Sequence, residues 1–451
     1  MSLLKSIPKV DKFITHKAFE GLSKTLVTKI TKEVIENLRI NILNEQIPVI
    51  NEKELVNETL KKYEDLINPS LKNLINATGI IVHTNLGRSL LDKQSIKKAI
   101  NIATSYNNLE YDLENGKRGE RYAHITKSLK ALTNCEDAVV VNNNASAVFL
   151  ILNTFCKNKE TIVSRGELVE IGGSFRIPEV MAQSGAILKE IGTTNKTHLM
   201  DYENAINENT SMLMKVHKSN YSIEGFSSEV DFSQIVKLAN TKNIIDYYDM
   251  GSGHIIDLPF NLSQKEPSIL EIMKYNPSLL SFSGDKLLGS VQAGIIIGKK
   301  ELIEKIKKNQ LLRMLRVDKI TLCLLQESLN LYLTNQTEKI PTLNMLNTSI
   351  TILENRANSL KERIQNICKC EILKTSTMVG GGTTPNKKIP SIALSIEFEN
   401  YKPNKIEKLL RENRVISRIE NDKVLLDFRA ILEEQIDELV DILKNIFKSC
   451  N

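Results

Sequence analysis

The sequence predicts an α/β core, a mostly parallel sheet with helices on both faces, with a small helical domain before it and a smaller α+β domain after it. Three observations carry that reading. From about Asn76, short β-branched runs alternate with helical patterns. Ahead of them, apolar residues recur every three or four positions. After Pro341 a long helical pattern gives way to strand-like pieces and a closing helix.

Taken in chain order, Leu22, Leu26, Ile30, Val34, Leu38 and Ile42 describe an amphipathic helix from Phe19, of roughly 24 residues. Pro48 and Pro69 bracket a second helix near Glu52 to Leu66, so residues 1–67 form the expected helical domain. Strands are expected at Ala138–Val141, Thr161–Ser164, Ala186–Ile191, Ser211–Val216, Ile244–Tyr248, Leu279–Ser283 and Ala293–Ile297. Helical patterns intervene, for example Asp231 to Ala239, and residues 68–335 make the core domain. Such sheets place ligands outside the carboxyl ends of their strands. Leu302–Leu331 reads as helix. Residues 336–451 form the C-terminal domain: a helical pattern to about Cys368, a polar stretch from Gly380 to Pro385, strands at Ser391–Ile396 and Val424–Leu426, and a helix from Leu432.

Composition narrows the function. The 451 residues are 41% hydrophobic and 25% charged, which excludes collagen-like and wholly disordered chains. No apolar run approaches the ~18 residues of a membrane helix. The amino terminus lacks the apolar stretch and cleavage site of a signal peptide, so a cytoplasmic protein is expected. The six cysteines are scattered apart from Cys368 and Cys370, and no two histidines stand four apart, so no metal site is expected. The formal charge of +6 is mild, but residues 1–32 hold seven lysines against Asp11 and Glu20, a local +5. On charge alone, a solvated helical face accounts for these lysines better than a polyanionic partner does.

The sharpest chemical signal is FSGDKLLG, Phe282 to Gly289, which puts Lys286 among glycines just past a strand. A desolvated lysine amine there is neutral and nucleophilic, as a lysine that carries pyridoxal phosphate must be. IIDYYDMGSG ends a strand at Asp249, 37 residues before Lys286. A carboxylate so placed can pair with the protonated pyridine nitrogen and keep the ring an electron sink. The spacing leaves room for one helix and a strand back, which suits fold-type I pyridoxal-phosphate enzymes. In VVVNNNASA a strand runs through Asn142 and Asn143 into Asn144, Ala145 and Ser146, ahead of a helix at Ala147–Asn153. Such a helix start is capped by its own side chains and can also seat a phosphate, with Ser283 adding a hydroxyl. In VHKSNYSIEGF, Asn220 lies where a polar contact to the ring hydroxyl is common, while His217 either stacks on the ring or satisfies a buried hydrogen bond. Only 14 of the 60 basic residues are arginine. Arg118 with Arg121, and Arg313 with Arg316, are spaced to share a helix face, where they either hold an anion or pair with carboxylates. Arg88, in HTNLGRS, is a third candidate.

Together these segments, with INATGIIVHTNLGRSLL, NGKRGERYAHI, RGELVEIGGSFRIPEVM, GTTNKTH and the opening IPKVDKFI, closely resemble the bacterial selenocysteine synthase family, the L-seryl-tRNA(Sec) selenium transferases. The likeness runs nearly end to end. It implies a homodecamer of fold-type I subunits with pyridoxal phosphate on Lys286, and a helical N-terminal domain that binds tRNA(Sec). It also implies that Arg88, Arg313 and Arg316 hold the selenium donor, selenophosphate. The implied reaction converts L-seryl-tRNA(Sec) to L-selenocysteinyl-tRNA(Sec): the serine hydroxyl is eliminated to leave aminoacryloyl-tRNA, and selenium adds. One departure is local. The family usually reads Leu-Leu-Gly-Gly-Pro-Gln-Ala-Gly after the lysine, whereas Ser290 and Val291 stand here for Gly-Pro, with Gln292, Ala293 and Gly294 kept. Two other classes share parts of this pattern. A pyridoxal-phosphate lyase acting on a small amino acid or sugar acid has no use for the basic N-terminus, and a non-catalytic tRNA-binding protein has no need of Lys286.

Overall fold

A computed structural model describes residues 3–44, 49–171, 175–264 and 266–450. Pro48, and residues 172–174 of the arginine- and glycine-containing motif at 165–181, lie outside the described residues. Contacts divide the chain into two units, Met1–Asn73 and Leu74–Asn451. Among the described residues no helix is long and apolar enough to cross a membrane.

The first unit is built on helices α1 (Lys24–Leu43) and α2 (Glu52–Ile67). The helix expected from Phe19 begins later because Gly21 adopts φ +80, a left-handed turn that interrupts the periodic run. Val27, Ile30, Val34 and Leu38 of α1 pack with Leu55, Val56 and Tyr63 of α2 and with Phe13 and Phe19. Asn51 caps α2 by accepting from the N–H groups of Lys53 and Glu54. All seven lysines of residues 1–32 are exposed.

In the second unit a seven-stranded sheet contains β1 (Asp137–Val141), β2 (Glu160–Ser164), β3 (Ile187–Ile191), β4 (Thr210–Val216), β5 (Ile245–Gly251), β6 (Leu279–Ser283) and β7 (Gly294–Gly298). The spatial order is β1-β7-β6-β5-β4-β2-β3, parallel except for β7, which runs against both neighbours. Every residue of β1, β6 and β7 is buried, because helices cover both faces and each side of the strand must be apolar. Alternate residues serve separate cores. Val140, Leu280 and Ile295 enter one cluster, and Val139, Leu279 and Ile296 the other. All seven expected strands are present, within a few residues at their ends.

The remaining layer is an antiparallel sheet of β8 (Lys369–Gly380), β9 (Thr383–Glu397), β10 (Arg418–Glu420) and β11 (Lys423–Asp427), ordered β8-β9-β11-β10 and backed by helices that include Ile350–Ile364. The first residues of the unit join it: Ile75–Asn76 pairs in parallel with Val415–Ile416. Three features differ from the sequence expectation. The polar stretch at Gly380–Pro385, given no element from sequence, is the turn of a long hairpin and the start of β9. The helical run at Leu302–Leu331 is broken into Lys300–Lys308, Leu312–Leu315 and Lys319–Leu333, with Asn309 and Arg316 extended between them. The helix after β1, here α3 (Asn144–Phe155), starts at Asn144, since Asn143 takes the capping role.

Candidate active site

Strands β4, β5 and β6 are neighbours, so the residues that leave their carboxyl ends converge. β5 delivers Asp249, β6 delivers Ser283 and then Lys286, and β4 delivers His217, whose backbone N–H donates to Asp249 O at 2.9 Å. Asn144, at the start of α3, reaches the same place: its Nδ2 donates to Asp249 Oδ1 at 2.7 Å.

Lys286 is 5% exposed, an unusual burial for a lysine without a carboxylate in hydrogen-bond contact. Its Nζ donates to Gly382 O at 3.3 Å, from the turn of the β8–β9 hairpin. Ser89 Oγ donates to the Lys286 carbonyl at 2.7 Å and anchors the backbone. Burial, and then the nearby charge of Arg88, push the Lys286 amine below its ordinary value. Arg88 itself, held at φ +62, pairs with Asp285 Oδ2 at 2.8 Å. Gly382 sits at φ +79, a left-handed conformation that favours glycine, and a Cβ there would lie 2.9 Å from Lys286 Nζ.

The other titratable groups are shifted by the same burial. Asp249 is pushed up by desolvation, against the pull of Asn144, the Gly251 N–H and Lys286. His217 is brought down to about 4 by burial and by the charge of Lys215 behind it. Lys215 stays charged despite burial because Glu167 (3.1 Å) and Glu229 (3.3 Å) enclose it. Glu266, 3% exposed, is pushed up to about 7 by burial.

The donor set fits pyridoxal phosphate. Asn144 Oδ1, His217 Nδ1, Ser219 Oγ and Thr384 Oγ1 are buried and lack a hydrogen-bond partner among the described residues. Buried polar atoms left this way call for a polar guest. Asp249 is a buried carboxyl at the end of β5, as a partner for a pyridinium requires. At the mouth of α3, Asn143 Oδ1 takes the Ser146 N–H at 2.8 Å, which leaves Asn144 and Ala145 as the first N–H groups of a twelve-residue helix.

Several expected residues are placed differently. Asn144 uses its side chain on Asp249 rather than solely as part of a phosphate seat. Asn220 is exposed, and its Nδ2 donates to Glu170 O at 2.7 Å. Arg313 and Arg316 do not share a helix face: the helix ends at Leu315, Arg313 is exposed, and Arg316 turns to Glu110 at 3.6 Å. Arg121 also pairs with Glu110, at 2.8 Å. The Arg316 backbone nevertheless bridges Val141, and Leu315 O accepts from Asn142 N–H at 2.9 Å, which sets this segment beside the mouth of α3. After Lys286, Ser290 is accommodated by a hydrogen bond between its Oγ and Ser328 Oγ at 2.8 Å, and by Ser290 N donating to Gly284 O at 2.8 Å. Asp285, Glu266 and the turn Gly380–Thr384 were not among the expected site residues. Three consecutive glycines between two strands were the available signal for the turn.

The chain is similar to known proteins over its full length. The family description L-seryl-tRNA selenium transferase matches residues 74–432. The chain is 76% identical over 449 residues to the L-seryl-tRNA(Sec) selenium transferase of Aliarcobacter butzleri (strain RM4018), with all of both chains covered. It is 64% identical to the enzyme of that name from Sulfurimonas denitrificans, over 99% of each. Among solved structures, a D-glucosaminate-6-phosphate ammonia-lyase superposes with a TM-score of 0.61 at 17% identity, covering 86% of this chain and 98% of that one, a likeness of fold.

Proposed function

The chain belongs to the L-seryl-tRNA selenium transferase family, and on that premise we propose how its residues convert L-seryl-tRNA(Sec) to L-selenocysteinyl-tRNA(Sec). It is a transferase with the fold-type I architecture, and its cofactor is pyridoxal phosphate. When bound, that group supplies an electron sink for the serine Cα as the β-hydroxyl leaves and selenium takes its place. Lys286 holds the cofactor through Nζ and, as a base of lowered proton affinity, takes the Cα proton. Asp249 holds a proton on the pyridine nitrogen, oriented by Asn144 Nδ2. The first turn of α3, with Asn144, Ala145 and Ser146, and Ser283 nearby, receive the phosphate. His217 is neutral and packs at the ring, and Asn220 stands at the exposed rim of the same loop.

Selenium arrives as selenophosphate, and the arginines Arg88, Arg313 and Arg316 bind its anion. The support is strongest for Arg88, which lies close enough to Lys286 to lower its proton affinity. The seven exposed lysines of residues 1–32 bind the tRNA, as the N-terminal domain 1–67 of a transferase would, ahead of a catalytic domain at 68–335 and a C-terminal domain at 336–451. The protein works in the cytoplasm as a homo-oligomer, a decamer by the family resemblance. The observation that carries the reading is the buried, single-partnered amine of Lys286 beside Asp249 in a chain of this family. The test is reconstitution. Purified protein with pyridoxal phosphate, seryl-tRNA(Sec) and selenophosphate should yield selenocysteinyl-tRNA(Sec). Turnover of free serine in place of the tRNA substrate would refute it in favour of a lyase.

A further inference from the structure

Glu266 is a buried carboxyl that none of the roles above uses. It lies in the segment between β5 and β6, and it touches two different parts of the site. Ser252 Oγ, in the turn that follows Asp249, donates to Glu266 Oε1. Thr384 N–H, at the start of β9, donates to Glu266 Oε2 at 2.8 Å. The Glu266 backbone is fixed as well, with its carbonyl 2.8 Å from His254 Nε2. One carboxyl therefore joins the β5 turn to the β8–β9 hairpin.

The hairpin turn needs such an anchor. Thr384 is held at φ +38, a left-handed conformation costly for a β-branched residue. The three glycines of the turn are closely packed, two against the segment Val82–Thr84 and one against Lys286. A Cβ on Gly380 would meet Val82 O at 2.2 Å, one on Gly381 would meet Thr84 Oγ1 at 2.8 Å, and one on Gly382 would meet Lys286 Nζ at 2.9 Å. The turn is thus packed closely against the Val82–Thr84 segment and lies beside Lys286, with Thr384 in a strained conformation next to it. We propose that Glu266 is a positioning residue of this site: by accepting the Thr384 N–H it clamps the Gly380–Thr384 turn onto Lys286 and holds the Gly382 carbonyl against the lysine amine. This rests on the reading that Lys286 carries the cofactor. Glu266 acts through reach, not through charge. Burial pushes its carboxyl up to about 7, so the bond to Thr384 N–H does not depend on a full negative charge.

The test uses the full-length protein loaded with pyridoxal phosphate and two near-isosteric variants. Glu266→Gln keeps an acceptor at the right length and removes the charge. Glu266→Asp keeps the charge and shortens the arm by one methylene, so it cannot span both partners. The readouts are the rate at which borohydride reduces the lysine-bound chromophore, and the split between kcat and KM for seryl-tRNA(Sec). Glu266→Asp should be reduced at least about tenfold faster, as the turn lifts from Lys286, with kcat falling about tenfold and KM changing less than about threefold. Glu266→Gln should stay within about threefold of wild type in both. Any other pattern overturns the proposal: Gln impaired with Asp intact would assign the role to charge, and two unaffected or two impaired variants would remove the clamp. The underlying reading fails separately, if the reduced wild-type protein carries its label on a lysine other than Lys286.

Discussion

Asp249 and His217 sit side by side in the same dry environment and respond to it in opposite directions, the carboxyl pushed up and the imidazole brought down to about 4. For Asp249, the proposed pyridinium partner would supply a counter-charge. Asp249→Asn should keep the fold and the cofactor but lose one to two decades in turnover, since a hydrogen bond to a charged group is worth ~1.5–3 kcal/mol. Unchanged turnover with full cofactor content would remove Asp249 from the mechanism. For His217 the consequence is a pH dependence of stability. Its folded-state value lies below the unfolded value of 6.5, so the unfolded chain binds the extra proton as pH falls from 6.5 towards about 4. Burial of His217 thus destabilises the protein progressively through that window and not above it. Compared with wild type, His217→Gln should gain stability on going from pH 7 to pH 5, read from urea midpoints of the cofactor-free protein. A stability difference that does not change with pH would contradict the assignment.

At the scale of elements, the mouth of α3 is where a local capping rule and a binding site coincide. Asn143→Ala removes the side chain that takes the Ser146 N–H and should cost ~0.5–2 kcal/mol in urea unfolding. It should also weaken pyridoxal-phosphate binding, measured by fluorescence titration; a loss of stability with unaltered affinity would detach α3 from the cofactor. The central strands were legible because burial on both faces forces continuous apolar runs such as Val139–Val141 and Ile295–Ile297, which no other element explains. β8 was not legible. It is an edge strand, exposed at alternate positions, and its Lys, Thr and Ser residues carry little hydrophobic signal. In the site, Lys286 and Asp249 could be read from strand-end context alone. The contacts of Thr384 with Glu266, and of Gly382 with Lys286, join residues 118 and 96 apart in sequence, and no local pattern encodes them. Arg316 was misjudged locally, because the helix assumed to carry it beside Arg313 stops at Leu315.

Across the whole molecule, the proposal divides the labour of the family reaction between the two units. Met1–Asn73 carries the seven exposed lysines of residues 1–32, and every residue proposed to hold the cofactor lies in Leu74–Asn451. Removing residues 1–73 should therefore leave a folded protein that binds pyridoxal phosphate while affinity for seryl-tRNA(Sec) falls sharply. In the intact protein that affinity should weaken steeply with salt, since each phosphate contact releases counterions. Undiminished tRNA binding by the truncated protein would refute the division. Arg313→Ala combined with Arg316→Ala should do the reverse, retaining tRNA binding and losing selenophosphate-dependent product. Both expectations presuppose one proposal, the attachment of the cofactor to the buried lysine past β6. Borohydride reduction of the loaded protein followed by peptide mapping tests it most directly. The phosphopyridoxyl label should be found on the peptide containing Lys286 and nowhere else; a label on any other lysine, with Lys286 unmodified, would contradict the account.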